Sequence, residues 1–482
     1  MERSRAASKL RQIVRKETND IDFRHSLSTP LIPEGEERQP AADGSQPRPP
    51  PRKVTSDVSN WLGGTGAQMS QKNLRKALQH VALDNGESGQ AGEPTWDGVG
   101  VEDDEVPGCF APVTDFLAIK DMIMGSYINL LLICVPIGFA AEYLGMGAVA
   151  IFFINFLGLI PLALILGDIT EDLAVRFGDV IGGLLNATFG NVVEMILSIA
   201  ALQKNLFYVV ATSLMGSVLS NLLLVLGCCF LFGGLIYKVQ RFNTTVGKAG
   251  NSLLMLVCIG IVMPTILKSI NPETADLILP LSRGIAVLLT FVYLVFLYFQ
   301  LWSHSDVISE KYRDDDDEDD EEEEVPSLSI SGGFVSLGVI TVIVSFSSEF
   351  LTGSIEEVSK EAPWLNQGFL GMIVLPIAGN ACEHITAVLV AMKNKMDLSI
   401  GVAVGSSVQI ALFVIPFMVL VAWGMDKPFS LEFDMFSVVM LTLSVVLATL
   451  VTYDGESNYL LGVQLVCVYL LLTVAYFLGA AK

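Results

Sequence analysis

One short polar motif is written twice inside long apolar segments. Gly190-Asn191-Val192-Val193-Glu194 recurs as Gly379-Asn380-Ala381-Cys382-Glu383. The match continues in register, pairing Lys204 with Lys393, Asn205 with Asn394, Gly216 with Gly405 and Ser217 with Ser406. Apolar runs of about 20 residues are what a helix needs to span a bilayer. A carboxylate at that depth is costly, so it marks a functional site by default. A polar motif repeated at membrane depth is the sequence sign of a transporter built from two related halves.

Composition agrees. Of 482 residues, 52% are hydrophobic, and mean hydropathy is +0.55. Most of the chain therefore reads as embedded in a lipid bilayer. The formal net charge of −22 falls on little soluble surface, and eleven acids form one run, Asp314–Glu324. This argues against nucleic acid as a partner. The 7 cysteines form no CxxC pair and mostly fall in apolar runs. They read as small buried hydrophobes rather than a disulfide framework or metal cluster. The first hundred residues are polar and lack a short apolar signal core, so the first spanning helix must itself direct insertion.

Residues 1–110 read as a disordered cytosolic regulatory tail, too polar to offset the entropy of ordering. Within it, Ser70–Leu83 places Leu74, Leu78, Val81 and Ala82 at roughly helical spacing, which reads as a marginal, unused helix or as a short docking helix. Eleven apolar segments follow, near 122–141, 147–172, 178–202, 206–236, 250–270, 276–301, 327–356, 366–392, 397–423, 433–453 and 458–480. The expected fold is an all-α integral membrane protein with eleven transmembrane helices, one extra helix plus two inverted five-helix repeats. Residues 111–302 hold the extra helix and the first half, 303–326 the acidic loop, and 327–482 the second half. A five-helix unit ends on the side opposite its start, so its successor is inverted. With the tail in the cytosol, 8 Lys and Arg fall in inner loops and 4 in outer loops, in line with the positive-inside rule. The acidic run is then cytosolic.

Two Gly and two Asn between Gly183 and Glu194 weaken any helix there. Irregular backbone at membrane depth is tolerated where it lines a cavity. Asn191 and Glu194 are i, i+3 and share a helical face. Asn380 and Glu383 repeat the geometry from the other half. Two carboxylates with amide and carbonyl oxygens make a hard-oxygen site suited to Ca2+ or Mn2+. Ser217, Ser220 and Asn221 lie on one face of the next helix, and Ser406 and Gln409 stand in the corresponding helix of the second half. These five either complete the shell or bond helix to helix. A carboxylate in a low dielectric holds either a cation or a proton. That competition is sufficient chemistry for exchange. Glu171 and Asp172 at the end of the second segment, with Glu349, Glu356 and Glu357 late in the seventh, are candidates for an ion or proton entry path, with ordinary helix-end charges as the alternative. His384 relays a proton or serves as a structural hydrogen-bonding group. At about 100° from Glu383 around the helix, it cannot face the same point.

The residues Ile181–Glu194, with Gly379–His384, resemble the paired signature repeats of the vacuolar calcium/cation–proton exchangers. Met215–Gly227 and Val404–Gln409 resemble the next helices of that family. The resemblance covers about residues 115–480. It implies an eleven-helix antiporter with both repeat Glu at the cation site. It also implies a cytosolic acidic segment after the sixth helix, matching Asp314–Glu324, and a regulatory tail. Glu171 takes the place of a pathway carboxylate, and His384 that of the His beside the second Glu. Cys382 departs from the pattern, which usually has Ala there. The implied cargo is cytosolic Ca2+, or another divalent, against protons from an acidic organelle such as the vacuole. The chain then needs no resident cofactor and is not an enzyme, and self-association is left open. A sodium/calcium exchanger is the nearest alternative, but its repeats resemble Gly-Thr-Ser-x-Pro-Glu/Asp, and neither repeat here has that Pro. A cation channel selects with rings from several subunits, whereas this chain holds both halves of a site. A non-transporting scaffold leaves the buried Glu pair unexplained.

Overall fold

Backbone in lipid must satisfy its own hydrogen bonds, which leaves these apolar runs only the helix. The computed structural model describes residues 111–304 and 326–479. The Ser70–Leu83 segment and the Asp314–Glu324 run lie outside them. In chain order the helices are α1 Pro112–Met124, α2 Tyr127–Tyr143, α3 Ala148–Gly178, α4 Ile181–Phe189, α5 Val192–Gln203, α6 Phe207–Ile236 and α7 Gly247–Ile270. They continue with α8 Pro272–Ser303, α9 Ile330–Glu361, α10 Gln367–Gly379, α11 Ala381–Ala391, α12 Met396–Gly424, α13 Met435–Val451 and α14 Tyr459–Phe477. Among the described residues, 7 helices are long and apolar enough to cross a membrane, or up to 10 if each bent pair is one span. The shorter apolar helix α13 accounts for the tenth expected segment.

The first segment corrects the sequence reading. It is not one helix over 122–141. The chain turns by 100° between α1 and α2. Ser126 caps the new helix by accepting from the Ile128 amide at 3.3 Å. Helix α1 is held off the α2 axis by its own buried acid. Asp115 accepts from the Ser329 amide at 2.6 Å and from Ser329 Oγ at 2.7 Å, at the start of α9. Asp172, which the sequence suggested as an ordinary helix-end charge or a pathway group, anchors the same strip. It accepts from the amides of Ser327 (2.5 Å) and Leu328 (3.0 Å), while Arg176 donates to the Leu328 carbonyl. Asp115→Ala removes the carboxylate and leaves the buried Ser329 donors unpaired, at a cost of about 1–3 kcal/mol. Thermal unfolding of the purified chain should show a lower midpoint, and an unchanged midpoint would deny the anchor.

The two halves pack through their long helices, α3 along α9 and α6 along α14. Small residues permit the second contact. A Cβ at Gly227 would sit 2.9 Å from the Val466 side chain, and one at Gly462 2.7 Å from the Gly227 carbonyl. Close approach at small residues is how helices associate without a hydrophobic driving force. A two-residue antiparallel bracket, Gln240–Arg241 with Glu456–Ser457, ties the halves at one end. The repeat is visible in the backbone itself. Asn205 and Asn394, paired by the sequence register, both adopt the left-handed region, at φ 60° and 63°. Each ends its half-helix there, a role Asn fills when Gly is absent. Lys427 Nζ donates to Asn205 Oδ1 at 2.5 Å, and Gln240 Nε2 donates to Asn394 Oδ1 at 3.1 Å. These bonds mark two opposite faces, one carrying Lys204 and Lys427, the other Arg176 and Lys393.

Candidate cation site

Both repeated motifs break their helices. Between α4 and α5 the bend is 40°, and between α10 and α11 it is 63°. The break falls on the Asn each time, at φ −106°, ψ 16° for Asn191 and φ −98°, ψ 16° for Asn380. Glu194 and Glu383 then occupy the first turns of α5 and α11. The positive end of each half-helix dipole thus lies at its own carboxylate. This favours negative charge, and beyond it a bound cation, at the centre of the bundle.

The two carboxylates meet through one amide. With its nitrogen turned towards them, Asn380 donates to Glu194 Oε1 at 2.7 Å and to Glu383 Oε2 at 3.2 Å. Its oxygen accepts from Ser217 Oγ at 3.2 Å. Ser406 Oγ donates to Glu383 Oε2 at 2.8 Å, and Asn221 Nδ2 donates to Ser406 Oγ at 3.1 Å. Asn191 Nδ2 donates to Gln409 Oε1 at 2.8 Å. The structure therefore gathers Glu194, Glu383, Asn191, Asn380, Ser217, Asn221, Ser406 and Gln409 into one network drawn from both halves. Three buried acceptor oxygens in it, Asn191 Oδ1, Glu194 Oε2 and Asn221 Oδ1, have no hydrogen-bond partner. Buried polar atoms are rarely left unpaired, so such orphans call for an explanation such as an ion. Among the described residues no group of three or more His, Cys, Asp and Glu could hold a metal. The donor set is two carboxylates plus neutral oxygens, which suits a hard cation that must also leave.

Ser220 and His384 do not join the carboxylates. They bond each other, with Ser220 Oγ 3.2 Å from His384 Nε2. The ring points at α6 rather than at Glu383, as the helical angle required. Glu349 and Glu356 are exposed late in α9, and no hydrogen bond or ion pair found among the described residues links either to the site. Glu171 is exposed near the Arg176 end of α3.

Three features escaped the sequence. A Cβ at Gly379 would overlap Glu194 Oε1, so this Gly makes room for the carboxylate of the other repeat. The sequence marked it only as the first residue of the second motif. Helices α6 and α12 each contain a π-helical stretch directly beside the network, Ser220–Val225 and Ile410–Val414. Such stretches are frequent at functional sites. Cys382 packs on α3, its Sγ 3.1 Å from where a Gly167 Cβ would stand. Gly167 is therefore what lets the unusual thiol fit. Gly167→Val should push Cys382 and the adjoining Glu383 aside, lowering transport without unfolding the chain. Equal transport by this variant, assayed in reconstituted vesicles, would contradict that.

Residues 147–302 and 332–478 match the sodium/calcium exchanger protein family, one match to each half. A vacuolar calcium ion transporter of Schizosaccharomyces pombe is 39% identical over 361 residues, covering 74% of this chain and 86% of that protein. A Ca2+/H+ antiporter of Synechocystis is 40% identical over 363 residues, covering 73% of this chain and 96% of that one. The solved structure of native YfkE superposes with a TM-score of 0.62 at 32% identity, covering 73% of this chain and 99% of YfkE.

Proposed function

The chain belongs to the sodium/calcium exchanger protein family, and on that premise we propose that it exchanges Ca2+ for protons across the membrane of an acidic organelle. One observation carries this reading. Two carboxylates from inverted half-helices share the Asn380 amide, with orphaned acceptor oxygens around them. An amide nitrogen between two carboxylates substitutes for the positive charge the site is built to hold. When Ca2+ enters, Asn380 can turn its oxygen inward, and the carboxylates, Asn191, Asn221 and Ser406 can supply the remaining ligands. When protons enter instead, each Glu is neutralised alone. The names of the relatives agree, since they are called calcium transporters and Ca2+/H+ antiporters. The absence of the Pro typical of sodium/calcium exchanger repeats favours protons over Na+ as the counter-ion.

The orientation follows from charge. Placing Arg176 and Lys393 in the cytosol satisfies the positive-inside rule, puts the N-terminus inside and counts eleven crossings with α13 as one. The host is then the vacuole or a similar acidic compartment. Glu171 lies on the cytosolic side and is our candidate for guiding ions inward. Glu349 and Glu356 face the opposite side and would serve only protons entering from the lumen. His384 reads as a positioning group for Ser220. The tail and the acidic run are regulatory on this account, so deleting residues 1–100 should preserve or raise exchange in vesicles. An inactive but folded truncation would count against it.

Energetics set the coupling. Concentrating Ca2+ ~10,000-fold costs about 5.5 kcal/mol, while one proton crossing two pH units supplies about 2.7 kcal/mol. More than one proton per Ca2+ is required, and two Glu permit it. Purified chain in proteoliposomes should take up Ca2+ under an imposed pH gradient, without Na+, and lose uptake to a protonophore. Uptake that survives the protonophore and requires Na+ would overturn the proton reading.

A further inference from the structure

The repeats match in sequence but not in packing. On the Lys204 face, α6 closes against α10. A Cβ at Gly216 would overlap the Met372 carbonyl, and one at Gly371 would overlap Thr212 Oγ1. Leu370 and Met372 are fully buried, and Ile373 is 5% exposed. Beyond this seal lies a cavity of about 240 Å3 lined by Tyr208, Thr212, Met215, Glu432 and Asp434. It stands on the Lys427 side and stops at the seal.

The register that pairs Glu194 with Glu383 also pairs Gly216 with Gly405, Met372 with Gly183, and Gly371 with Gly182. It pairs buried Leu370 with Ile181 and buried Ile373 with Leu184. On the Lys393 face these counterparts do not meet. Gly405 has no atom within 4 Å of a would-be Cβ. Ile181 is 53% exposed and Leu184 47%. Gly183 is covered only by the flexible Leu301 side chain, 2.6 Å from its would-be Cβ. The site is thus shut on one face, and the matching surfaces stand apart on the other.

We propose that Gly405 and the Ile181–Leu184 turn are the unmade seal of a second conformation, in which α12 closes on α4 as α6 closes on α10 here. Gly405 then lies against the Gly183 carbonyl as Gly216 lies against that of Met372. Leu301 swings aside, and Ile181 and Leu184 become buried. Only Gly tolerates that approach, which explains a Gly at position 405 where the present structure leaves open space. The inference rests on the exchange reading, because a carrier with a single site must close one seal before opening the other.

The test is Gly405→Ala in the full chain. The present conformation has room for the methyl group, so thermal unfolding and equilibrium Ca2+ binding should match the native chain. Exchange in proteoliposomes should fall about tenfold or more, because overpacking excludes the second state. In parallel, Leu184→Cys is labelled with a membrane-impermeant maleimide and read peptide by peptide by mass spectrometry. In the otherwise native chain, reversing the pH gradient should change its labelling rate. With Gly405→Ala added, the rate should stay high whatever the gradient. Native exchange by Gly405→Ala, or labelling of Leu184→Cys indifferent to Gly405→Ala, would overturn the proposal. If the native chain moves no Ca2+ against protons, the exchange reading fails, and the labelling comparison still decides whether the seal exists.

Discussion

Glu194→Gln and Glu383→Gln should each cut proton-driven Ca2+ uptake by about a hundredfold or more, since removing one partner of a buried charge cluster costs several kcal/mol. Gln keeps the side chain's shape and adds no charge, so folding should survive, read as an unchanged unfolding midpoint. The two variants differ in local detail. Glu194 is 5% exposed, accepts from Asn380 and packs against Gly379, with one oxygen orphaned. Glu383 is half-buried and also accepts from Ser406. A Gln at 383 can still accept from Ser406, and a Gln at 194 can still accept from Asn380 through its carbonyl oxygen, but neither supplies the charge that balances a divalent cation. Initial rates of radiolabelled Ca2+ uptake in proteoliposomes check both. Normal uptake by either variant would remove that residue from the site.

The second large effect is expected at Gly379. Ala there would overlap Glu194 Oε1, and displacing a binding group by about 1 Å can cost about a hundredfold. The same substitution improves helix propensity by up to about 1 kcal/mol. Stability and transport should therefore move apart, with transport lost while the unfolding midpoint holds or rises. Gly424→Ala is the control, because nothing lies within 4 Å of its would-be Cβ. It should leave transport intact. A Gly379→Ala chain that transports normally would mean that Glu194 has slack the structure does not show.

The pairing of the two carboxylates was legible because the motif is written twice. Two Asn-x-x-Glu motifs in register announced paired carboxylates, and the backbone repeats the pairing down to the φ angles of Asn205 and Asn394. Helical angle alone turned His384 away from Glu383. What one sequence cannot tell is which other helix a face meets. Ser220 shares a face with Ser217 and Asn221, yet it bonds His384 of the other half. Asp172 reads as a helix-end charge until the Ser327 and Leu328 amides are found on it. The bend before α2 was missed because the expected first span, 122–141, ran straight across it, and Met122–Met124 is apolar enough to pass for its start. Its cause is a partner of Asp115 more than two hundred residues away. The π-helical stretches leave no periodic trace, since one extra residue per turn looks like ordinary apolar sequence.

The central claim is that one pair of carboxylates holds either Ca2+ or protons. It is tested most directly by counting protons released when Ca2+ binds to the purified full chain in weakly buffered detergent solution. The account predicts release with every Ca2+ bound. Apparent affinity should then fall as pH falls, by about tenfold per pH unit for each proton displaced. Glu194→Gln and Glu383→Gln should each lose one of the displaced protons. Ca2+ binding by the native chain with no proton release, and with affinity independent of pH, would contradict it.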